Sequence, residues 1–184
     1  MIRTLLWLVG GVLLGGVIHI FSILTLPLLA EDTTWSRLAA LDARNRILVL
    51  PEIGPGDPNP LQLDPDLTYG VCQVDLNEGP AYLSGILPDA FWSAAIYDRN
   101  GIVTYSTTNR DGIGQNVELG IFNPDQTRQL AQQQIDIVEG LLIVEAQSDE
   151  LFIIVRLSPP HNVMRPRFAQ SLSDISCGSR GNNG

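Results

Sequence analysis

The sequence predicts an N-terminal membrane-spanning helix followed by one β-rich α+β domain. That domain is expected to be an antiparallel sandwich or rolled sheet carrying two or three short helices. Three observations predict this. Residues 5–29 form a run of 25 residues without Asp, Glu, Lys or Arg. The rest of the chain holds about seven short apolar or alternating segments, punctuated by Gly, Pro, Asn and Asp. The composition, 184 residues with 45% hydrophobic and 17% charged, is that of one folded domain and not of a disordered chain. The expected organisation is a cytoplasmic start at 1–4, an anchor at 5–29, one domain at 30–178 and a disordered tail at 179–184.

The apolar run is long enough for the roughly 30 Å of hydrocarbon in a bilayer. A secretory signal has an apolar core of only about 7–15 residues, so the run reads as an uncleaved anchor, with a cleaved signal as the alternative. Arg3 precedes it, and Glu31 and Asp32 follow. The positive-inside rule then puts the N-terminus in the cytoplasm and the bulk in the periplasm of a bacterial inner membrane. Trp7, Gly11, Gly15 and His19 recur every fourth residue and share a helix face. Gly11 and Gly15 make a GxxxG pattern, which allows close helix approach. The expected partner is a second copy or another membrane protein; the bland alternative is a Gly-rich helix with an idle histidine.

Past the anchor, Thr33 or Thr34 can cap a helix to about Leu41, with Trp35, Leu38 and Leu41 on one face. Residues 47–50 read as a strand. Residues 51–65, with five prolines, read as a loop. Residues 67–76 and 81–87 read as strands joined by the turn 77–80, a hairpin. Residues 91–97 and 102–107 form a second hairpin across Asp98-Arg99-Asn100-Gly101, where Asn-Gly is expected to supply positive-φ positions. A further strand covers 117–122. Asn123, Pro124 and Gln126 then mark a helix start, with the helix running to about Gln133 or Gln134. Residues 141–146 and 151–157 read as a third hairpin around 148–150. Residues 163–175 read as a short helix ending at Cys177.

Candidate chemistry is sparse. The net charge is −9 and every basic residue is arginine, with no basic patch, so no nucleic acid partner is expected. Cys72 and Cys177 are expected to form a disulfide in an oxidising compartment if the fold brings them together; the alternative is two buried thiols. They lack the CxxC spacing of a redox enzyme. His161 stands alone in a loop, and no nucleophile, metal or phosphate-cradling motif occurs, so no cofactor is expected. The aspartates, Asp64 and Asp66 among them, sit mostly at turns, where Asp caps backbone amides. Along 91–97, alternate residues face opposite ways. One aromatic set is expected to fill the core, with core packing as the first reading; the alternative is that the other lines a candidate groove of Trp92, Tyr105, Asn109, Arg110 and Asp111 for stacking on a ligand.

The run Tyr69-Gly70-Val71-Cys72-Gln73-Val74-Asp75-Leu76, then Gly79-Pro80, then Phe91-Trp92-Ser93, resembles a bacterial exported family, as do the later stretches Tyr97 to Gly101, Tyr105-Ser106 and Asn109-Arg110. It is the family of domain of unknown function 1254, often found with domain 1214. The stretch Trp35 to Leu38 and the late Cys177 also resemble its short members. The resemblance covers about residues 30–177. It implies an envelope location and a β-rich fold, and brings no activity or catalytic residues. The resulting expectation is a non-enzymatic envelope protein acting through contacts. Second comes a periplasmic module for a sugar, peptide or lipid-like ligand near 91–111, and third an enzyme without recognisable motifs.

Overall fold

The computed structural model describes residues 2–29, 34–110, 115–132 and 141–179. The uncharged run lies within one helix, α1, Ile2–Leu29, whose first turn also takes in Arg3. Among the described residues none of its apolar span is buried. After it come α2 (Thr34–Ala39), β1 (Leu48–Val49), β2 (Thr68–Asp75), β3 (Ala81–Ile86), β4 (Trp92–Asp98), β5 (Val103–Thr108) and β6 (Asn116–Phe122). Then follow α3 (Pro124–Gln132), β7 (Leu142–Glu145), β8 (Glu150–Leu157), α4 (Arg165–Ser173) and β9 (Ser176–Ser179).

The strands form two sheets, β1-β2-β8-β4-β5 and β7-β6-β3-β9. All pairs are antiparallel except β6 with β7, which are parallel. The core lies between the sheets. Trp92, Ala94 and Ile96 of β4 and Ile153, Val155 and Leu157 of β8 belong to one buried cluster with Leu83 of β3 and Leu119 and Ile121 of β6. Phe168 and Leu172 of α4 join the same cluster. Gly70 leaves room for α4, since a Cβ there would come within 3.1 Å of Ile47 and 3.3 Å of Leu172. A smaller cluster covers the outer side of the five-stranded sheet, where Trp35 of α2 meets Phe152 edge-on at 4.5 Å.

Two expected hairpins are not hairpins. Residues 68–75 and 81–86 are both strands, but β2 pairs with β1 and β8, and β3 pairs with β6 and β9. The link between them is a 3-10 turn, Leu76–Glu78, capped by the Asp75 carboxylate, which accepts from the Asn77 amide at 3.0 Å. Gly79 follows at φ 134°, and the chain turns into the other sheet. Likewise β7 runs beside β6, and β8 crosses to the middle of the five-stranded sheet. The two crossings are tied together. The Leu76 amide donates to the Asp149 carbonyl at 2.9 Å, and Asn123 Nδ2 donates to the Asp149 carboxylate at 3.0 Å. Alternation marks a strand's faces and says nothing of its partner.

The hairpin β4–β5 forms as expected. Its turn has one left-handed residue, Gly101 at φ +77°; Asn100 is not in that region. The Asp98 carboxylate accepts from the Asn100 and Ile102 amides, each at 2.8 Å. Burial pushes this carboxyl up. The hydrogen bonds from the Ile102 amide and from the Asn100 side chain and amide outweigh it and hold the group below its ordinary range. Gly101→Ala is expected to destabilise the protein by about 1 kcal/mol, because an L side chain disfavours the left-handed region. A Cβ there would touch nothing, so the cost is conformational alone. Urea unfolding of the full chain in a mild detergent reads it, and an unchanged midpoint would mean the turn relaxes freely.

The helix start at Asn123 is a reciprocal capping box. The Gln126 amide donates to Asn123 Oδ1 and the Asn123 amide to Gln126 Oε1, both at 2.9 Å. The expected end of this helix lies outside the described residues. Near the C-terminus the expected helix is shorter, a 3-10 turn at Asn162–Met164 followed by α4. Cys177 is not at a helix end. It lies in β9, which pairs with β3 in the register Leu83↔Cys177. Ser-Cys-Gly-Ser carries no β-branched or aromatic residue, so nothing local announces this strand. Ser179, expected in the tail, closes it; residues 180–184 lie outside the described residues.

Candidate functional site

The two cysteines are bonded. Cys72 in β2 and Cys177 in β9 lie in opposite sheets, 105 residues apart in sequence, with 6.5 Å between Cα atoms. Both are buried in the inter-sheet cluster. Two further bonds hold β9 in place: Ser179 Oγ donates to the Asp75 carbonyl at 3.0 Å, and the Ser179 amide donates to Asn45 Oδ1 at 2.9 Å. The disulfide is a staple across the sandwich.

Among the described residues of the expected groove at 91–111, no shared open face forms. Trp92 is 1% exposed and faces the other sheet, so it offers no surface for stacking. Tyr105 is partly buried against the same core. Asn109 donates its amide to the Trp92 carbonyl at 3.2 Å, and its Oδ1 is buried without a hydrogen-bond partner. Arg110 is exposed, and Asp111 lies outside the described residues. The face of β4 that points outward carries Ser93, Ala95 and Tyr97 instead. Trp92 goes inward because its face of β4 continues into Ala94 and Ile96, an unbroken apolar set.

Other sequence candidates keep local roles. Asp57, Asp64, Asp75 and Asp98 each accept a nearby backbone amide, as turn aspartates do. His161 caps the 3-10 turn at 162–164 without a side-chain bond. Among the described residues no group of three or more His, Cys, Asp or Glu is placed to hold a metal. On α1, Trp7, Gly11, Gly15 and His19 are all exposed, and a Cβ at Gly11 or Gly15 would meet nothing within 4 Å.

What sequence reading missed is a hollow of about 400 Å³ on the outer side of the five-stranded sheet. Tyr69 and Val71 of β2 and Ile154 and Arg156 of β8 line it from the sheet. Leu38 of α2 and Leu50 line it as well, with Leu61, Leu63 and Leu67 from the proline-rich loop. That loop is fastened at several points. Arg37 donates to the Pro60 carbonyl at 2.7 Å, and Arg165 donates to the Pro65 carbonyl at 2.6 Å. The Asn59 amide group bridges both backbone groups of Leu63, and the Asp64 amide donates to the Tyr69 hydroxyl at 3.0 Å. Arg156 lies between Tyr69 and Ser93 in the strand ladder. Its half-buried guanidinium donates to the Tyr97 hydroxyl at 2.6 Å. Among the described residues no carboxylate pairs with it. The alternation Ile154-Val155-Arg156 in β8 was the available signal, since it places the arginine on the outward face.

A family described as "protein of unknown function (DUF1254)" matches residues 44–172. No curated protein matches the chain. A crystal structure of a Vibrio parahaemolyticus protein superposes with a TM-score of 0.51 at 11% identity, over 62% of this chain and 28% of that one. A crystal structure of an uncharacterised Burkholderia cenocepacia protein gives a TM-score of 0.43 at 14% identity, over 71% of this chain and 36% of that one. The chain thus spans about a third or less of either solved chain. The first likeness bears on the fold alone.

Proposed function

The chain belongs to the DUF1254 family, and from that premise we propose that it is a single-pass inner-membrane protein whose sandwich stands in the periplasm. It works there without catalysis, through protein contacts in the cell envelope. The observation that carries this is α1. A helix apolar on all sides needs lipid or protein around it, and the sandwich supplies no such cover. Arg3 ahead of the span favours a cytoplasmic N-terminus. The disulfide suits an oxidising compartment.

Contact through the anchor uses the face of Trp7, Gly11, Gly15 and His19. Small residues there let a second helix approach closely, whether from another copy or from another membrane protein. Replacing Gly15 by Leu is expected to weaken association of full-length chains in lipid vesicles by about tenfold, read by energy transfer between labelled copies. Association equal to the parent protein would remove the glycine face from the account. A second reading, a ligand-binding module, is favoured by the hollow beside Arg156.

A further inference from the structure

We propose that the hollow on the outer side of the five-stranded sheet binds a single-chain amphiphile, its apolar tail among the leucines and its anionic head on Arg156. The argument begins with the cation. Arg156 is half-buried, and the bond it makes goes to a neutral hydroxyl, that of Tyr97. A guanidinium has five N–H donors in a planar fork that matches a carboxylate or a phosphate. Withdrawing such a cation from water without an anion is unfavourable, and an acidic head would compensate it. Asp64 also borders the hollow, but it is exposed and its carboxylate accepts the Asp66 amide at 2.9 Å. Its charge is solvated, so the partly desolvated Arg156 sets the local field.

Apart from Gln62 and the Tyr69 hydroxyl, the rest of the hollow suits hydrocarbon. Leu38, Leu61, Leu63, Val71 and Ile154 line it. A volume of about 400 Å³ falls within the roughly 300–1,000 Å³ of small-molecule sites. Its loop wall is already held by Arg37, Asn59 and Arg165, so a ligand need not order it. The source of the ligand follows from chain length and rests on the anchored reading. Five residue steps separate the end of α1 from the start of α2, a reach of at most about 18 Å. Leu38 of α2 lines the hollow, which is therefore held near the bilayer surface, where amphiphiles collect.

The test uses the full chain in phosphatidylcholine nanodiscs, with radiolabelled dodecanoate as probe and empty discs as the partition control. Saturable binding of one probe per chain is expected. Arg156→Gln should weaken it by at least about tenfold, and dodecanol should bind weakly by a similar margin. Leu61→Glu, at a half-buried loop position and compared where urea unfolding shows the variant still folded, should weaken it too. Dodecyl phosphate competing better than dodecanoate would assign a phosphate head; the reverse would assign a carboxylate. Inorganic phosphate competing as well as dodecyl phosphate would overturn the amphiphile. No binding beyond empty discs, or equal binding by parent and both variants, would overturn the site. Carbonate extraction of membranes from the cells that express the chain reads the anchor separately. A chain released by carbonate that still binds dodecanoate sinks the anchor, and an integral chain that does not bind sinks this site.

Discussion

Replacing both Cys72 and Cys177 with serine should lower the stability of the sandwich by about 3–5 kcal/mol. The crosslink closes a loop spanning a sequence separation of 105, and a loop of that size removes much entropy from the unfolded chain. Whole domains are stable by only about 5–15 kcal/mol, so the loss is a large share. The double serine variant also puts hydroxyls where sulfurs are packed in the core. The strand β9 should suffer first, because its four residues have little strand preference of their own. Urea unfolding of the full chain in mild detergent, with hydrogen exchange at 176–179, measures both effects. A loss under about 1 kcal/mol would mean that β3 and the bonds from Ser179 hold β9 without the staple.

Trp92→Ala should cost about 3–5 kcal/mol, the range for deleting a fully buried tryptophan. The indole lies between the sheets, and the cavity it leaves cannot close without moving β8, whose Leu157 is its ladder partner. The same unfolding experiment reads this variant. Its dodecanoate binding, measured where the variant remains folded, should match that of the parent protein, because Trp92 is on the opposite side of the sheet from the hollow. A stable Trp92→Ala protein with altered ligand binding would instead return the ligand site to the 91–111 segment.

Elements whose signals are local were legible. The β4–β5 hairpin has both strands and a strong Asp98–Gly101 turn within one short stretch. The capping box at Asn123 and Gln126 lies within four residues. Partners far apart were not legible. Residues 68–75 pair with 150–157, and no rule of period or turn links segments that distant. Each of the two false hairpins paired strands that are neighbours in sequence and belong to different sheets. The disulfide was anticipated from compartment chemistry: residues 67–76 read as a strand carrying Cys72, but nothing local marked a strand at Cys177. The hollow was invisible for a different reason. Its wall is a proline-rich loop, which sequence reading treats as a connection, and Arg156 becomes unusual only once no carboxylate among the described residues is found paired with it.

The place of β8 governs when this protein can fold. It lies between β2 and β4, yet its residues, 150–157, come after both of theirs in the chain. A chain emerging from its N-terminus has no central strand for the larger sheet until most of the domain is out. Until then, β2 and β4 present open edges, which invite pairing with other chains. Pairings this distant in sequence also make folding slow, because a long loop must close before the contact repays it. The staple comes later still, since its second sulfur belongs to residue 177. The order of synthesis therefore makes the crosslink and β9, the last strand of the smaller sheet, available together, after all the other strands have been made.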